Sequence, residues 1–261
     1  MPWGHDRRAV VHVRPRAGSL KQNRVSPLEP SGSRTKVLTA QVGDVPFFFL
    51  SPFQSNMDLR RQLRARRRAL SPAEQKKHAH QAARHLAKHP LFLSARRLGA
   101  YWAADGELDP APLLRLAYKR HKDCHFPVLR PHPRRKLWFV RHREGDLLVT
   151  NRYGIPEPGL RNARIRLPWA LDLLLVPLVG FDAGCNRLGM GGGYYDQTLA
   201  YLHARRHWRR PLLIGLAHEC QRIEGLAVRP WDIPLDLVVT EQRIYPRTCG
   251  SRTEQRDAGG V

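Results

Sequence analysis

The chain has 261 residues, enough for one large α/β domain or two small ones, and 42% of them are hydrophobic, so a sizeable core is affordable to most of its length. Its 45 Lys and Arg against 22 Asp and Glu give a formal net charge of +23, which points to phosphate-bearing partners, to a polyanionic small substrate or simply to a basic tail. Four scattered cysteines (Cys124, Cys185, Cys220, Cys249) form no C-x-x-C pair, which excludes a zinc ribbon or thioredoxin-like motif. No apolar run approaches the ~20 residues of a membrane helix, and a cytoplasmic protein with no membrane partner is expected.

Residues 1–56 mix Arg, Gly, Ser and Pro without a period of 3.6 or 2, the pattern of a disordered or non-native extension. Pro15, Gly18, Pro27, Pro30 and Gly32 would break the amphipathic helix of a transit peptide. Regular patterning begins at Met57, and translation is expected to start there. The domain is expected over 57–245, with 246–261 a flexible tail.

From Met57 two helices are expected. The first is short and very basic (RRQLRARRR); the second is capped by Ser71, with Pro72 at its first position and Glu74 three residues past the cap. Strands are expected at Leu98–Ala104, His125–Leu129 and Leu137–Val140, with a helix over Asp109–Lys119. Leu171–Val179 (LDLLLVPLV) reads as a strand buried on both faces. A helix over Tyr194–His207 and strands at Leu212–Ala217 and Leu237–Thr240 complete an α/β three-layer open sheet with helices on both faces.

Between the buried strand and the next helix lies GFDAGCNRLGMGGGYYDQTL (180–199). Glycines at 189, 191, 192 and 193 let backbone N–H groups approach an anion, and the following helix start adds a favourable dipole. Arg187 can neutralise a phosphate, and Asp196 is placed to hold Mg²⁺ on it. The spacing is neither G-x-G-x-x-G nor Walker A.

This stretch resembles the signature of the 5-formyltetrahydrofolate cyclo-ligase (methenyltetrahydrofolate synthetase) family. RARRRALSPAEQ, YWAADGELD, YGIPEP, IGLAHECQ and WDIPLDLVVTE extend the resemblance over roughly Met57 to Glu241, and the WDIPL variant is most like the proteobacterial branch. It implies an ATP- and Mg²⁺-dependent closure of 5-formyltetrahydrofolate to 5,10-methenyltetrahydrofolate, with ADP and phosphate released through a phosphorylated formyl (iminium phosphate) intermediate. It further implies that Arg187, Leu188, Gly189, Met190, Gly191, Gly192, Gly193, Tyr194 and Tyr195 line the ATP phosphates. Arg187 and Tyr195 would be catalytic, and Met190 to Tyr194 would also touch the folate. Arg60 would contact ATP, Trp102 and Glu107 would hold the folate, Asp196 would ligate Mg²⁺, and Asp236 would be a second ligand. Asn56 stands where some members have an ATP-binding lysine, a contact that is then either missing or supplied by Arg61 or Arg64. Met190 and Gly192 stand where some members carry basic residues.

The other motifs carry less. Most arginines of RRQLRARRR are expected in solvent or on the folate's polyglutamate tail. A basic nucleic-acid-binding protein on the same scaffold is the alternative, but nucleic acid is not an obligatory partner and a monomer acting on two small molecules is expected. His85/His89 and His203/His207 have metal-ligand spacing on a helix but no third ligand, and read as surface residues. Cys185 is not expected to act as a nucleophile. Asp182 could orient Arg187 or only stabilise its turn.

Overall fold

The computed structural model describes residues 55–130, 136–160, 163–204 and 210–247. The expected extension up to residue 54, most of the expected tail, Cys249 and His207 lie outside the described residues. Helix α1 (Asn56–Arg68) is capped by Ser55, whose side chain accepts from Asp58 N, so the first helix begins upstream of Met57. Among the described residues, no helix is long and apolar enough to cross a membrane.

Helix α2 (Pro72–Ala87) carries the expected capping box: Ser71 Oγ accepts from Glu74 N, and the Glu74 carboxylate accepts from Ser71 N at 2.8 Å. Ala79, Ala82, Ala83, Leu86 and Ala87 form its buried stripe, at the spacing of one helical face. The one-turn α3 (Pro90–Ser94), not anticipated from the sequence, starts where His89 accepts from Leu91 N. Strand β1 (Arg97–Gly99), α4 (Ala111–Lys119), β2 (Asp123–Leu129) and β3 (Leu137–Arg141) follow. The strand expected to reach Ala104 stops at Gly99, because the chain leaves the sheet for a turn at Asp105 and Gly106, both with positive φ.

Next come the hairpin β4 (Leu148–Thr150) and β5 (Pro156–Pro158), then β6 (Ile165–Arg166), β7 (Leu173–Pro177), β8 (Gly180–Phe181) and β9 (Arg187–Leu188). Last are α5 (Tyr194–Leu199), α6 (Tyr201–Ala204), β10 (Leu212–Leu216), β11 (Leu237–Val239) and β12 (Ile244–Pro246). The helix expected over Tyr194–His207 is thus two short pieces. Thr198 Oγ1 donates to Tyr194 O at 2.6 Å and accepts from Leu137 N at 2.8 Å, a competing bond that bends a helix while fastening it to β3.

Eight strands form the main sheet in the order β12-β11-β10-β7-β1-β2-β3-β6. From β11 to β2 the neighbours run parallel; β12, β3 and β6 join antiparallel at the flanks. Strand β7 lies near the centre and alternates as a doubly buried strand must. Leu173 and Leu175 join α2, α3 and α4 in one core, while Leu174 and Val176 join α5, Phe181, Cys185 and Leu235 in the other. These are the three layers expected from the sequence.

Candidate functional site

The expected passage from buried strand straight into glycine loop is interrupted by the β8–β9 hairpin. Asp182 closes its turn, with Oδ1 accepting from Gly184 N and Asn186 N and Oδ2 from Asn186 Nδ2 and Leu226 N. Asp182 therefore stabilises the turn and leaves Arg187 to others. A Cβ at Gly180 would stand 2.5 Å from Leu63 Cδ1, so the hairpin needs glycine there for α1 to pack on it. Leu188 and Val179 complete that small contact with Leu63.

The hairpin delivers Arg187 beneath α5, with a side chain only 5% exposed. Its guanidinium donates to Ile233 O and pairs with Asp196 Oδ1 in the first turn of α5. Burial disfavours the Arg187 charge and the Asp196 carboxylate supports it. The loop Gly189–Gly193 lies between the two members of this pair along the chain. Gly191 (φ +93°) and Gly193 (φ +68°) adopt conformations that other residues rarely take, and the space a Cβ would fill at Gly189 is open. Arg60 Nε, expected from the sequence to contact ATP, donates to Gly189 O at 2.8 Å, so the first helix holds the loop's edge. Met190 is exposed.

A second group of charges lies where β1 ends. Arg67 is fully buried and donates to Asp105 O (2.8 Å), Asp105 Oδ2 (2.8 Å) and Leu178 O (3.1 Å), with Glu107 Oε1 at 3.9 Å. Arg64 Nε pairs with Asp105 at 2.7 Å and Arg61 with Asp58 at 2.8 Å. Arg64 and Arg67 depart from the expectation of solvent or a folate tail and brace α1 against the β1 turn, whereas Arg61, Arg66 and Arg68 are exposed. Glu107 is buried, which pushes its carboxyl up to about 7 despite Arg67. Glu107 also acts electrostatically on Tyr195, whose phenol is held well above its ordinary pKa chiefly by burial. Thus Arg187, Asp196, Tyr195 and Glu107 belong to one neighbourhood.

Two expected residues stand apart. Asp236 Oδ2 accepts from Leu213 N at 2.7 Å and its own N donates to Leu213 O, at the amino-terminal ends of β10 and β11. The second-metal-ligand role expected for Asp236 is therefore corrected, since its carboxylate closes a strand start. Trp102 stacks on Phe126 (4.1 Å between ring centroids, 12° between planes) and on the edge of His142, in the core beneath α2 and α4. No hydrogen bond or ring contact among the described residues joins it to the loop, yet its Nε1 is buried without a partner.

Two neighbours were not foreseen. Arg152 and Tyr153, in the β4–β5 turn, reach Tyr194 Oη at 2.6 and 2.9 Å. Glu157 holds that hairpin to β2 by accepting from Asn151 Nδ2 and Leu129 N. The quoted YGIPEP contains Tyr153 and Glu157, so the signal was present without a geometry to read it by. Arg67 was visible as the i+4 partner of Leu63 on the apolar stripe of α1. His85 and His89 are half-buried, not surface residues.

A mostly parallel sheet with a glycine loop set against a buried ion pair defines an α/β protein of the open-sheet class. Residues 52–241 match the model of the 5-formyltetrahydrofolate cyclo-ligase family, and the chain belongs to that family. It is 40% identical over 186 residues to the 5-formyltetrahydrofolate cyclo-ligase of Escherichia coli (strain K12), covering 70% of this chain and 98% of that one. The Haemophilus influenzae enzyme of the same name is 35% identical over 193 residues, covering 71% and 98%. An NMR structure of Aquifex aeolicus 5,10-methenyltetrahydrofolate synthetase superposes with a TM-score of 0.63 at 28% identity, covering 79% of this chain and 95% of that one.

Proposed function

We propose that the chain closes 5-formyltetrahydrofolate to 5,10-methenyltetrahydrofolate at the expense of ATP, through phosphorylation of the formyl oxygen. The observation that carries this reading is the buried Arg187, paired with Asp196, on either side of a glycine loop whose backbone is open at Gly189. A formamide oxygen leaves poorly. Transfer of the γ-phosphoryl group to it makes an iminium phosphate, which N10 of the folate attacks as phosphate departs. Such a transfer needs alignment and charge stabilisation more than a protein nucleophile. Loop N–H groups from Gly189 to Gly193 and the Arg187 guanidinium supply both, Arg60 fixes the loop's edge, and Tyr194 and Tyr195 wall the site.

Glu107 is the residue for the pterin. Its carboxyl, about half protonated at pH 7, gains charge when ring N–H groups donate to it, so folate binding releases a proton there. Trp102 Nε1 offers an unsatisfied donor in the same segment. With Asp236 at the other end of its strand, Asp196 is the carboxylate at the loop, and it is about one-third exposed. One carboxylate suits Mg²⁺, which keeps waters and takes its remaining ligands from substrate phosphates. Bound there, Mg²⁺ would neutralise charge on the transferred phosphoryl group.

The chain is read as a cytoplasmic monomer acting on two small molecules. A nucleic-acid-binding role is not favoured, because Arg61, Arg64 and Arg67 are paired with Asp58 and Asp105. The test is near-ultraviolet absorbance of the conjugated amidinium product, using full-length protein, 5-formyltetrahydrofolate, ATP and Mg²⁺. A rise that needs both ATP and Mg²⁺ is expected; a flat trace from folded protein overturns the reading. Asp196→Asn, which can keep a hydrogen bond to Arg187, should lose Mg²⁺-dependent turnover with an unchanged circular dichroism spectrum. Near-normal turnover in that variant refutes the metal role.

A further inference from the structure

Away from the loop, three side chains from three elements converge. His78 is on α2, His218 follows β10, and Glu241 follows β11. The Nδ1 atoms of the two histidines are 3.1 Å apart, and Glu241 Oε1 is 3.6 Å from His78 Nδ1. All three donor atoms lie within 4.8 Å of one another. Side-chain exposure is 18% for His78 and 10% for Glu241, and His218 is fully buried.

We infer that His78, His218 and Glu241 form a second metal site, separate from any Mg²⁺ at the loop, for a Zn²⁺-like transition-metal ion. The distances suit one shared ion: tetrahedral Zn–N bonds of about 2.0–2.1 Å set two ligand nitrogens about 3.3 Å apart. Two imidazoles and one carboxylate select Zn²⁺, Co²⁺ or Ni²⁺ over Mg²⁺, which asks for oxygens.

The surroundings fit. Glu219 N donates to both Glu241 oxygens at 3.2 and 3.0 Å, which orients the carboxylate as outer-shell donors do at metal sites. The nearby Arg67 is already matched by Asp105 and Glu107, leaving Glu241 as countercharge to the ion. Three protein ligands leave a fourth position for water. The ion would brace α2 against the carboxyl ends of β10 and β11.

The competing arrangement is a metal-free His–His hydrogen bond with an ion pair to Glu241. Full-length protein stripped with a chelator, then titrated with Co²⁺ and displaced by Zn²⁺, distinguishes the two. Expected is one Co²⁺ per chain with intense visible absorption of tetrahedral type, displaced by one Zn²⁺. His78→Gln and Glu241→Gln should each weaken Zn²⁺ by about 100-fold or more. Cys220→Ser, two residues from His218, should leave it unchanged. Absence of Co²⁺ binding, or binding that survives both His78→Gln and Glu241→Gln, overturns the site. Because only metal binding is read, the result is independent of the cyclo-ligase reaction.

Discussion

The two faces of the sheet are built by opposite means. One is covered by α2 and α4, whose buried residues are alanine, leucine and proline at helical spacing. The other is covered by the six-residue α5, the β8–β9 hairpin and the segment around Ile233 and Leu235, and into it is set the Arg187–Asp196 pair. The first face is held mainly by apolar packing, with the His78–His218–Glu241 cluster at its edge. On the second, backbone ends and turns supply the carbonyl and N–H groups that a buried charge requires, which a continuous helix could not offer from its interior. Irregularity there is what allows a guanidinium to be buried beside the start of a glycine loop.

The sharpest way to break the comparison is a cavity on the first face. Leu86→Ala should cost about 2–5 kcal/mol in denaturant unfolding while leaving kcat of the folded fraction unchanged. A lowered kcat would mean that face is coupled to the chemistry. Next is Arg187→Ala on the second face, where turnover should fall about 10²–10³-fold, with ATP use impaired more than folate binding. The reverse ranking would turn the loop toward the folate.

Glu107 sharpens the contrast through pH. Its folded-state pKa is about 7 against an ordinary 4.5, so the native state binds the extra proton between those values. Stability from this group is full below about 4.5 and declines as pH rises toward 7. Glu107→Gln should flatten that part of the stability–pH curve and remove an inflection near pH 7 from kcat/KM; an unchanged curve would show that another group titrates. The smallest effect should come from the first face again. Ser71→Ala removes one half of a capping box and should cost about 1 kcal/mol in unfolding, with no kinetic change.

The first face was the legible one. The capping box at Ser71, the stripe of α2, the doubly buried β7 and most central strands follow from periodicity and cap chemistry, which act over a few residues. The glycine loop and Arg187 were legible as motifs, whereas the bond from Arg60 to Gly189 O was not anticipated. What escaped depends on contacts distant in sequence. The helix after the loop breaks because Thr198 answers to Leu137, and Asp236 faces Leu213 because of strand pairing. The His78–His218 pair, 140 residues apart, has no local signature, whereas the visible i,i+4 histidine pairs were unrelated to it.

Helix α1 has a consequence for how the chain is made. Arg60 and Arg67 find partners at Gly189 and Leu178, 129 and 111 residues later in the chain. At roughly 5–20 residues per second, a ribosome needs about 6–26 s after making Arg60 to supply its partner. Until then the most basic helix of the protein has only its Asp105 partners, 38 and 41 residues on, and the bond from Arg60 that closes the loop's edge must wait for Gly189.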